Sequence, residues 1–336
     1  MTTGIGTPPA PPLDPVIATD LFNARFEQTH VVSLARTLTP MHTLRSLDGT
    51  YPIRDGWRGL DLSMGWDPTQ PIGLYDAPPP IRQTLTSGSL TVKRYAAGQF
   101  SISNIDAGQH SERGVDVFAM SSDEVRVIAA EAFAYLVFAS LGTTGNYASG
   151  FATDPGNLTT DSFDLKLSII KAAEDSLMDV KKLPDNMSGK LIWSIADDLM
   201  DDLVSNDQIQ NFAAAGFGVV REPNDAVIKG FFEEHSRVPI EVNVVYGVYK
   251  NSSGSATDFF SGKIAATVAA PDSAPSFFKM AVPGASGADA NAPLFDIRSQ
   301  PNAAIAGGGW DYFADAHYGI NIQDSEAGRL FYSLGS

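Results

Sequence analysis

Four aspartates between residues 197 and 202 form the densest group of side chains that could do chemistry. A hydrolase needs two carboxylates that converge on a cleft, where one acts as an acid and the other as a base or nucleophile. The first and third aspartates are four residues apart on a predicted helix, opposite the apolar Leu199 and Leu203. We therefore interpret the group as a solvated helix face near an N-terminus that favours negative charge. Its members are Asp197, Asp198, Asp201 and Asp202.

The remaining candidate motifs are incomplete. Gly216-x-Gly218 lacks the third glycine of a dinucleotide-binding loop, and Gly307–Gly309 has no adjacent basic residue to hold an anion. The sequence has no phosphate-loop or nucleophile-elbow motif. None of the five histidines has a second potential ligand at the spacing of a metal-binding motif. They are His30, His42, His110, His235 and His317. We predict no catalytic, cofactor-binding or metal-binding residues, and hence no enzyme.

Composition narrows the possible classes of protein. The 336 residues can bury a large core in two domains or one elaborate domain, and 43% of them are hydrophobic. A formal charge of −16 argues against a nucleic-acid-binding surface, because phosphate contacts need clustered lysine and arginine. The absence of cysteine excludes disulfides, thiolate metal sites and thiol catalysis. The first residues lack the basic and apolar regions of a secretory signal.

One long helix is predicted to organise the chain. Ser121 and Glu124 have the spacing of a capping box, and apolar residues then recur at helical spacing over 122–141. Gly142 and Gly145 end the pattern, and the apolar run, with Glu131 inside it, is too short to span a membrane. Because this helix is apolar nearly all round, other parts of the chain or other chains must cover it. The alternative is the central helix of any α+β domain.

The sequence before the helix predicts two extended segments. Residues 1–50 combine a proline-rich start with a short amphipathic segment, which is either a frayed terminus or an arm that docks on another subunit. Residues 51–104 are rich in glycine, proline and aromatic side chains, and then alternate like a strand. We predict a long two-stranded excursion, with a hairpin folded back on its own domain as the alternative.

After the long helix, the pattern predicts a small α/β layer followed by strands. Helices are expected over 161–182, after Ser194 and after Pro223, and the C-terminal segment is expected to end in a strand pair with a turn near 324–328. The predicted strands are 190–193, 238–249, 259–269, 277–282 and 294–298. The fold class is therefore α+β.

This running order resembles that of tailed-bacteriophage major capsid proteins, which have the Hong Kong 97-type fold. The order of elements is that of the family: an N-terminal arm, a hairpin, a long helix that ends in Asn146–Gly150, and a capped amphipathic helix. A later stretch looks like the start of the axial domain in coat proteins related to that of phage lambda. It consists of Leu183–Asn186, the strand through Trp193 and Asn206–Ile209. The resemblance covers roughly residues 50–300, and it rests on element order and loose local patterns.

The resemblance implies a division of the chain and a set of interface residues. The hairpin would lie over a neighbouring subunit, and we expect removal of residues 60–100 to leave a folded core that forms no shells. The implied parts are an N-terminal arm at 1–55, an extended β-hairpin loop at 56–106, a peripheral domain at 107–185 and 251–300 with its spine helix at 122–141, and an α/β axial domain with the C-terminal strands at 186–250 and 301–336. The predicted assembly interface contains Phe22, Phe26, Trp57, Trp66, Leu90, Val92, Lys93, Arg94 and Phe100.

The function implied by the resemblance is that of a major capsid protein. Such a chain self-assembles into pentamers and hexamers of an icosahedral shell that encloses double-stranded DNA without sequence-specific binding. Its location would be the virion capsid, assembled in the bacterial host cytoplasm without a membrane or cofactor. Scaffolding, portal and decoration proteins are candidate partners.

Three alternatives remain open at the level of sequence. A cellular nanocompartment or gene-transfer particle would use the same fold, and another virion protein, such as a tail or decoration subunit, would use a different symmetry. A cytosolic α+β enzyme would build its site from residues that are distant in sequence.

Overall fold

The computed structural model gives an α+β chain whose helices pack around two five-stranded sheets. It describes residues 11, 13–39, 41–44, 48–54, 85–111, 116–153, 167–179, 190–200, 203, 207–217, 225–250, 253–260, 262, 264–269, 276–283, 294–305 and 307–332. No helix among these residues is long and apolar enough to cross a membrane.

The described helices and strands are numbered here in chain order. The helices are α1 Pro15–Glu27, α2 His30–Leu38, α3 Asn104–Ser111, α4 Val117–Leu141, α5 Leu167–Asp179, α6 Asp207–Phe217 and α7 Asp225–His235. The strands are β1 Met41–Leu44, β2 Asp48–Arg54, β3 Leu85–Thr91, β4 Lys93–Ser103, β5 Ala152–Thr153, β6 Leu191–Ala196, β7 Ile240–Val245, β8 Val248–Lys250, β9 Ala256–Asp258, β10 Ile264–Ala269, β11 Phe278–Pro283, β12 Phe295–Asn302, β13 Gly309–Ile322 and β14 Gly328–Tyr332.

The first sheet is built around the long strand β13. Its order is β1-β11-β13-β12, and β4 also pairs with β13. Side chains alternate across a strand, so Tyr312, Ala314, Ala316 and Tyr318 all face one side, where they are buried in the larger core. The opposite side of β13 carries the polar residues Asp311, Asp315 and His317, together with Phe313. This sheet therefore has one packed face and one polar face.

The long helix α4 lies on the packed face of the first sheet. Elements α1, α2, β4 and β8 all contact it, and Phe133 and Phe138 are fully buried beneath them. The helix begins at Val117, earlier than the capping-box spacing predicted, because the carboxylate of Asp116 accepts a hydrogen bond from the Ala119 backbone N–H at 2.8 Å. The proposed cap residue Ser121 thus lies inside the first turns of the helix.

The N-terminal segment packs on its own subunit. Phe26 of α1 contacts Phe133 of α4 edge to face, with ring centroids 5.8 Å apart, and Phe295 of β12 at 4.9 Å. The Asn23 amide donates to the Phe295 carbonyl oxygen at 2.7 Å, and its side-chain oxygen accepts from the Phe295 N–H at 2.9 Å. Residues 15–38 therefore form two helices that pack on their own chain, whereas the sequence predicted either a frayed terminus or an arm that docks on another subunit.

The second sheet is covered on both faces. Its order is β5-β14-β10-β6-β7, and every residue of β6 and β10 is buried. Leu191, Trp193 and Ile195 of β6 face a smaller core under α5, α6 and α7, whereas Ile192 and Ala196 face the larger core. A strand that is buried on both sides reads as a continuous apolar run, which explains why these strands lack clean alternation in the sequence.

A buried carboxylate fastens α5 to the turn before β7. Glu174 is fully buried and accepts hydrogen bonds from the Ser236 hydroxyl at 2.6 Å and the Arg237 backbone N–H at 2.9 Å. The Arg237 guanidinium donates to the same carboxylate at 2.7 Å and to Asp175 at 2.6 Å. Because each of these polar groups has a partner, the charge can remain buried.

Several local predictions after the long helix need correction. Ser194 lies inside β6 instead of capping a helix, and the predicted strand 238–249 is broken at Gly247, whose φ is +109°. The aromatic segment after Gly309 is the central strand of the first sheet. The final two strands do not pair, since β13 lies in the first sheet and β14 in the second. The predicted grouping of 301–336 with 186–250 thus spans both sheets.

A glycine lets the two-stranded excursion rest against the first sheet. Strands β2 and β3 pair with each other. The last residue of β3, Thr91, lies so close to Gly319 of β13 that a Cβ added to Gly319 would be 2.4 Å from the Thr91 carbonyl oxygen. We expect Gly319→Ala to lower the free energy of unfolding by about 1–3 kcal/mol, because the clash is with backbone and the strands must separate. Urea denaturation measures this change.

Gly145→Ala is the matched control, because nothing lies within 4 Å of the Cβ that it would add. This variant should be as stable as the natural chain or slightly more stable. Equal unfolding free energies for the two alanine variants would show that β3 is not held against β13.

Candidate assembly surfaces

The two-stranded excursion is formed by β2 and β3. They pair residue by residue in antiparallel register, from Asp48 opposite Thr91 to Arg54 opposite Leu85. The segment that joins them, residues 55–84, lies outside the described residues, and it contains the predicted interface residues Trp57 and Trp66. The hairpin predicted over 56–106 therefore differs from the strands in the structure: the first strand, β2, lies before residue 56, and residues 93–103 form β4, which pairs with β13 of the first sheet.

Five of the predicted interface residues are buried within their own subunit. Leu90 and Val92 form a small cluster with Ala281 of β11. The others, Phe22, Phe26 and Phe100, belong to the larger core around α4 and the first sheet. Their apolar character stabilises the subunit, so they are not available for contacts with a neighbour. Periodicity shows that such residues are buried without showing what buries them.

Lys93 and Arg94 lie side by side in the sequence and point to opposite faces of the first sheet. Arg94 donates to the Asp315 carboxylate at 2.8 and 3.0 Å through Nη2, and Arg298 makes a second ion pair with that carboxylate. Asp315 is buried, whereas the side chains of both arginines are 59% exposed. Arg94 therefore has a partner in its own subunit, and its exposed guanidinium edge still faces solvent.

The polar face of the first sheet also holds a second buried carboxylate, Asp311. Burial by itself would raise the pKa of Asp311, but hydrogen bonds from Asn302, Ser101, Gln99 and Gln300 outweigh it and hold the pKa below its usual value. The Asn302 amide donates at 2.9 and 3.0 Å and the Ser101 hydroxyl at 2.6 Å. This carboxylate is consequently charged at neutral pH, and it ties β4, β12 and β13 together.

Apolar side chains that the subunit leaves uncovered lie on α4 and α1. Met120, Val127 and Ile128 follow one stripe of α4 and are 69%, 38% and 46% exposed. Val16 and Ile17 are exposed on α1. None of these residues belongs to the interface predicted from the sequence, although a helix that is apolar on more sides than one subunit can cover was a signal for such a stripe.

The aspartate group has only two members in the described part of the chain. Asp197 and Asp198 open a short 3₁₀ turn after β6. Burial raises the pKa of Asp197, and the negative charges of Asp198 and Asp258 raise it further. Among the described residues, no three histidine or acidic side chains come together as a metal site would require.

The sequence matches no protein-family model and no curated protein. The structure is similar to that of a phage-related protein of Bordetella bronchiseptica RB50, with a TM-score of 0.64, 13% identity and coverage of 98% of this chain and 100% of that one. It is also similar to the capsid of Ralstonia phage GP4, with a TM-score of 0.51, 10% identity and coverage of 89% and 88%. The chain has the Hong Kong 97-type capsid fold.

The Hong Kong 97-type fold confirms the architecture predicted from the order of elements. At such low identities the similarity establishes the fold, and what the chain does must be argued separately.

Proposed function

We propose that this chain is a capsid-type shell protein that self-assembles into pentamers and hexamers of an icosahedral shell. The observation that carries this proposal is the similarity, over nearly the whole chain, to a subunit of the Ralstonia phage GP4 capsid. A shell subunit needs surfaces that are complementary to other copies of itself, since closed symmetric assemblies reuse the same contacts. Electron microscopy of the purified chain tests the proposal directly.

The surface of the subunit supports this role. The exposed stripe of α4, Met120, Val127 and Ile128, lies on the most extensively packed helix, and it offers an apolar surface to a second copy. Interfaces of obligate assemblies bury such surface on the order of 2,000–5,000 Å². We assign this stripe to a contact between subunits.

The stripe can be tested by one substitution. We expect Ile128→Asp to leave the free energy of unfolding of the isolated subunit within about 0.5 kcal/mol, because the side chain is exposed. Assembly should fall strongly, because a carboxylate would be desolvated in an apolar contact. Sedimentation velocity measures the assembled fraction.

Ala214→Asp is the charge-matched control, because it adds the same charge to an exposed position on α6. Normal assembly of Ile128→Asp would show that the α4 stripe is not part of the interface between subunits.

The contents of the shell would be double-stranded DNA held without sequence-specific contacts. The formal charge of −16 supports a wall that does not bind nucleic acid tightly. Scaffolding, portal and decoration proteins are the partners that such a shell would use during assembly in a bacterial cytoplasm. Nucleic acid in particles isolated from infected cells would separate a virion from a cellular compartment of the same fold.

A further inference from the structure

We propose that the edge of β4 that faces away from β13 pairs with an extended strand of a second copy of the chain, so that the first sheet continues from one subunit into the next. This inference rests on the proposed function and deepens it, because it names a main-chain surface through which copies join. The part of β4 that pairs is Gln99–Ser103, and we call it the pairing segment.

The strand on the other side of β13, β12, has an edge that its own subunit blocks. In an antiparallel strand the N–H and C=O of one residue point to the same side, and successive residues alternate. The main chain of Phe295 points away from β13, because both of its polar groups bond to the Asn23 side chain, at 2.9 and 2.7 Å. The Ile297 N–H donates to the Thr19 hydroxyl at 3.0 Å, and Pro301, on the same side, has no N–H. This edge therefore offers few donors to a further strand.

The same alternation shows which residues of β4 point outward. Ser299 is on the outward side of β12, so the main chain of Tyr312, directly opposite it, points to β4 and bonds with Phe100. The Asn104 N–H donates to the Gly308 carbonyl oxygen at 3.0 Å, which continues the alternation. The residues of β4 whose main chain points away from β13 are consequently Gln99, Ser101 and Ser103.

These outward groups are available to a partner. Gln99 and Ser101 are exposed, and in the part of the chain that the structure describes β4 pairs with β13 alone. The strand is held in place from below, because Phe100 stacks on Tyr312 with ring centroids 5.3 Å apart and meets Phe118 edge to face. An exposed edge that is already ordered is a template for another strand, whose main-chain hydrogen bonds supply the affinity.

The charges on β4 favour a second copy as the source of that strand. Lys93 and Arg94 are exposed at the other end of β4, and a bulge between Ala96 and Gly98 separates them from the pairing segment. Cations and bulges discourage indiscriminate pairing at an edge, so that end suits a strand that continues into acidic residues. The chain has 39 acidic residues against 23 basic ones, and a closed assembly repeats one contact at every subunit.

The test compares Ser101→Pro with Ser101→Ala. Both variants lose the hydroxyl that donates to Asp311 at 2.6 Å, but only proline removes the outward N–H and puts its ring in that place. Neither change removes a bond to β13, and proline is tolerated at such positions of an edge strand. Thermal unfolding of the unassembled subunits should therefore give similar melting temperatures for the two variants.

Sedimentation velocity over a range of concentrations measures assembly. We expect Ser101→Pro to need at least roughly tenfold higher concentration than Ser101→Ala to assemble, because each contact loses a main-chain hydrogen bond and the ring blocks close approach.

Amide hydrogen exchange of the natural chain gives a second readout, which also applies if Ser101→Pro does not fold. Assembly should slow the exchange of the Gln99 and Ser101 amides at least about tenfold, as new hydrogen bonds protect them. The Phe100 and Ile102 amides are the internal reference, because they already face β13 and should exchange slowly in both states.

The outcomes separate this inference from the proposed function. Equal assembly of the two Ser101 variants, or unchanged exchange at Gln99 and Ser101 within closed particles, would overturn the pairing of β4 and leave the shell proposal intact. Small oligomers in which these amides are protected would support the pairing and contradict the shell. A natural chain that stays monomeric would contradict both.

Discussion

Replacing residues 55–84 by an Asn-Gly turn is expected to give a folded subunit that forms no shells. Arg54 and Leu85 are the last directly paired residues of β2 and β3, so a two-residue turn can close them as a tight hairpin. The residues of the larger core that the structure describes all lie outside the removed segment, so their mutual contacts are kept. In the shell proposal, this segment is the part of the extended loop that reaches a neighbouring subunit.

Circular dichroism and thermal unfolding check that the shortened subunit is folded, and sedimentation velocity measures its assembly. We expect a melting temperature close to that of the natural chain and a single small species at concentrations at which the natural chain assembles. Particles of normal size from the shortened chain would show that residues 55–84 are not needed for the contact.

The structure also corrects the deletion that the sequence suggested. Removal of 60–100 would take away most of β4, which pairs with β13 along the first sheet. Phe100 of β4 is buried against Phe118 and Tyr312. That larger deletion would unfold the subunit, so loss of assembly would carry no information about the excursion.

Phe26→Ala is expected to destabilise the isolated subunit by about 3–5 kcal/mol, the usual cost of removing a buried phenylalanine ring. Phe26 is fully buried between Phe133 and Phe295, in contact with both rings. Because whole domains are stable by only about 5–15 kcal/mol, this single change should lower the melting temperature markedly. Urea denaturation of the unassembled subunit measures it.

Leu21→Ala is the control on the same helix, because Leu21 is 37% exposed. It should change the free energy of unfolding by much less. If Phe26→Ala left the isolated subunit unchanged and impaired only assembly, the N-terminal helices would act as an arm on a neighbour, and the packing of α1 described here would be contradicted.

Elements with local signals were the most predictable part of the fold. Apolar residues at helical spacing predicted most of α4, and the glycine at its end was placed correctly. Its first turn was missed because two capping signals compete, and Asp116 makes the observed cap in place of Ser121. The order of elements was sufficient to predict the capsid fold.

Long-range pairing could not be predicted from local pattern. The aromatic segment 310–318 was not identified as a strand, although it is the centre of the first sheet, where Tyr312 stacks on Phe100. The predicted interface residues were chosen for apolar character, and a buried phenylalanine looks the same in a sequence whether its own subunit or a neighbour covers it.

Electron microscopy of the purified chain at assembly concentrations tests the shell proposal most directly. We expect closed particles of uniform diameter, with five- and six-fold clusters of subunits in averaged images. Only monomers or small oligomers, under all conditions in which the subunit is folded, would contradict the proposal that this chain builds a shell from copies of itself.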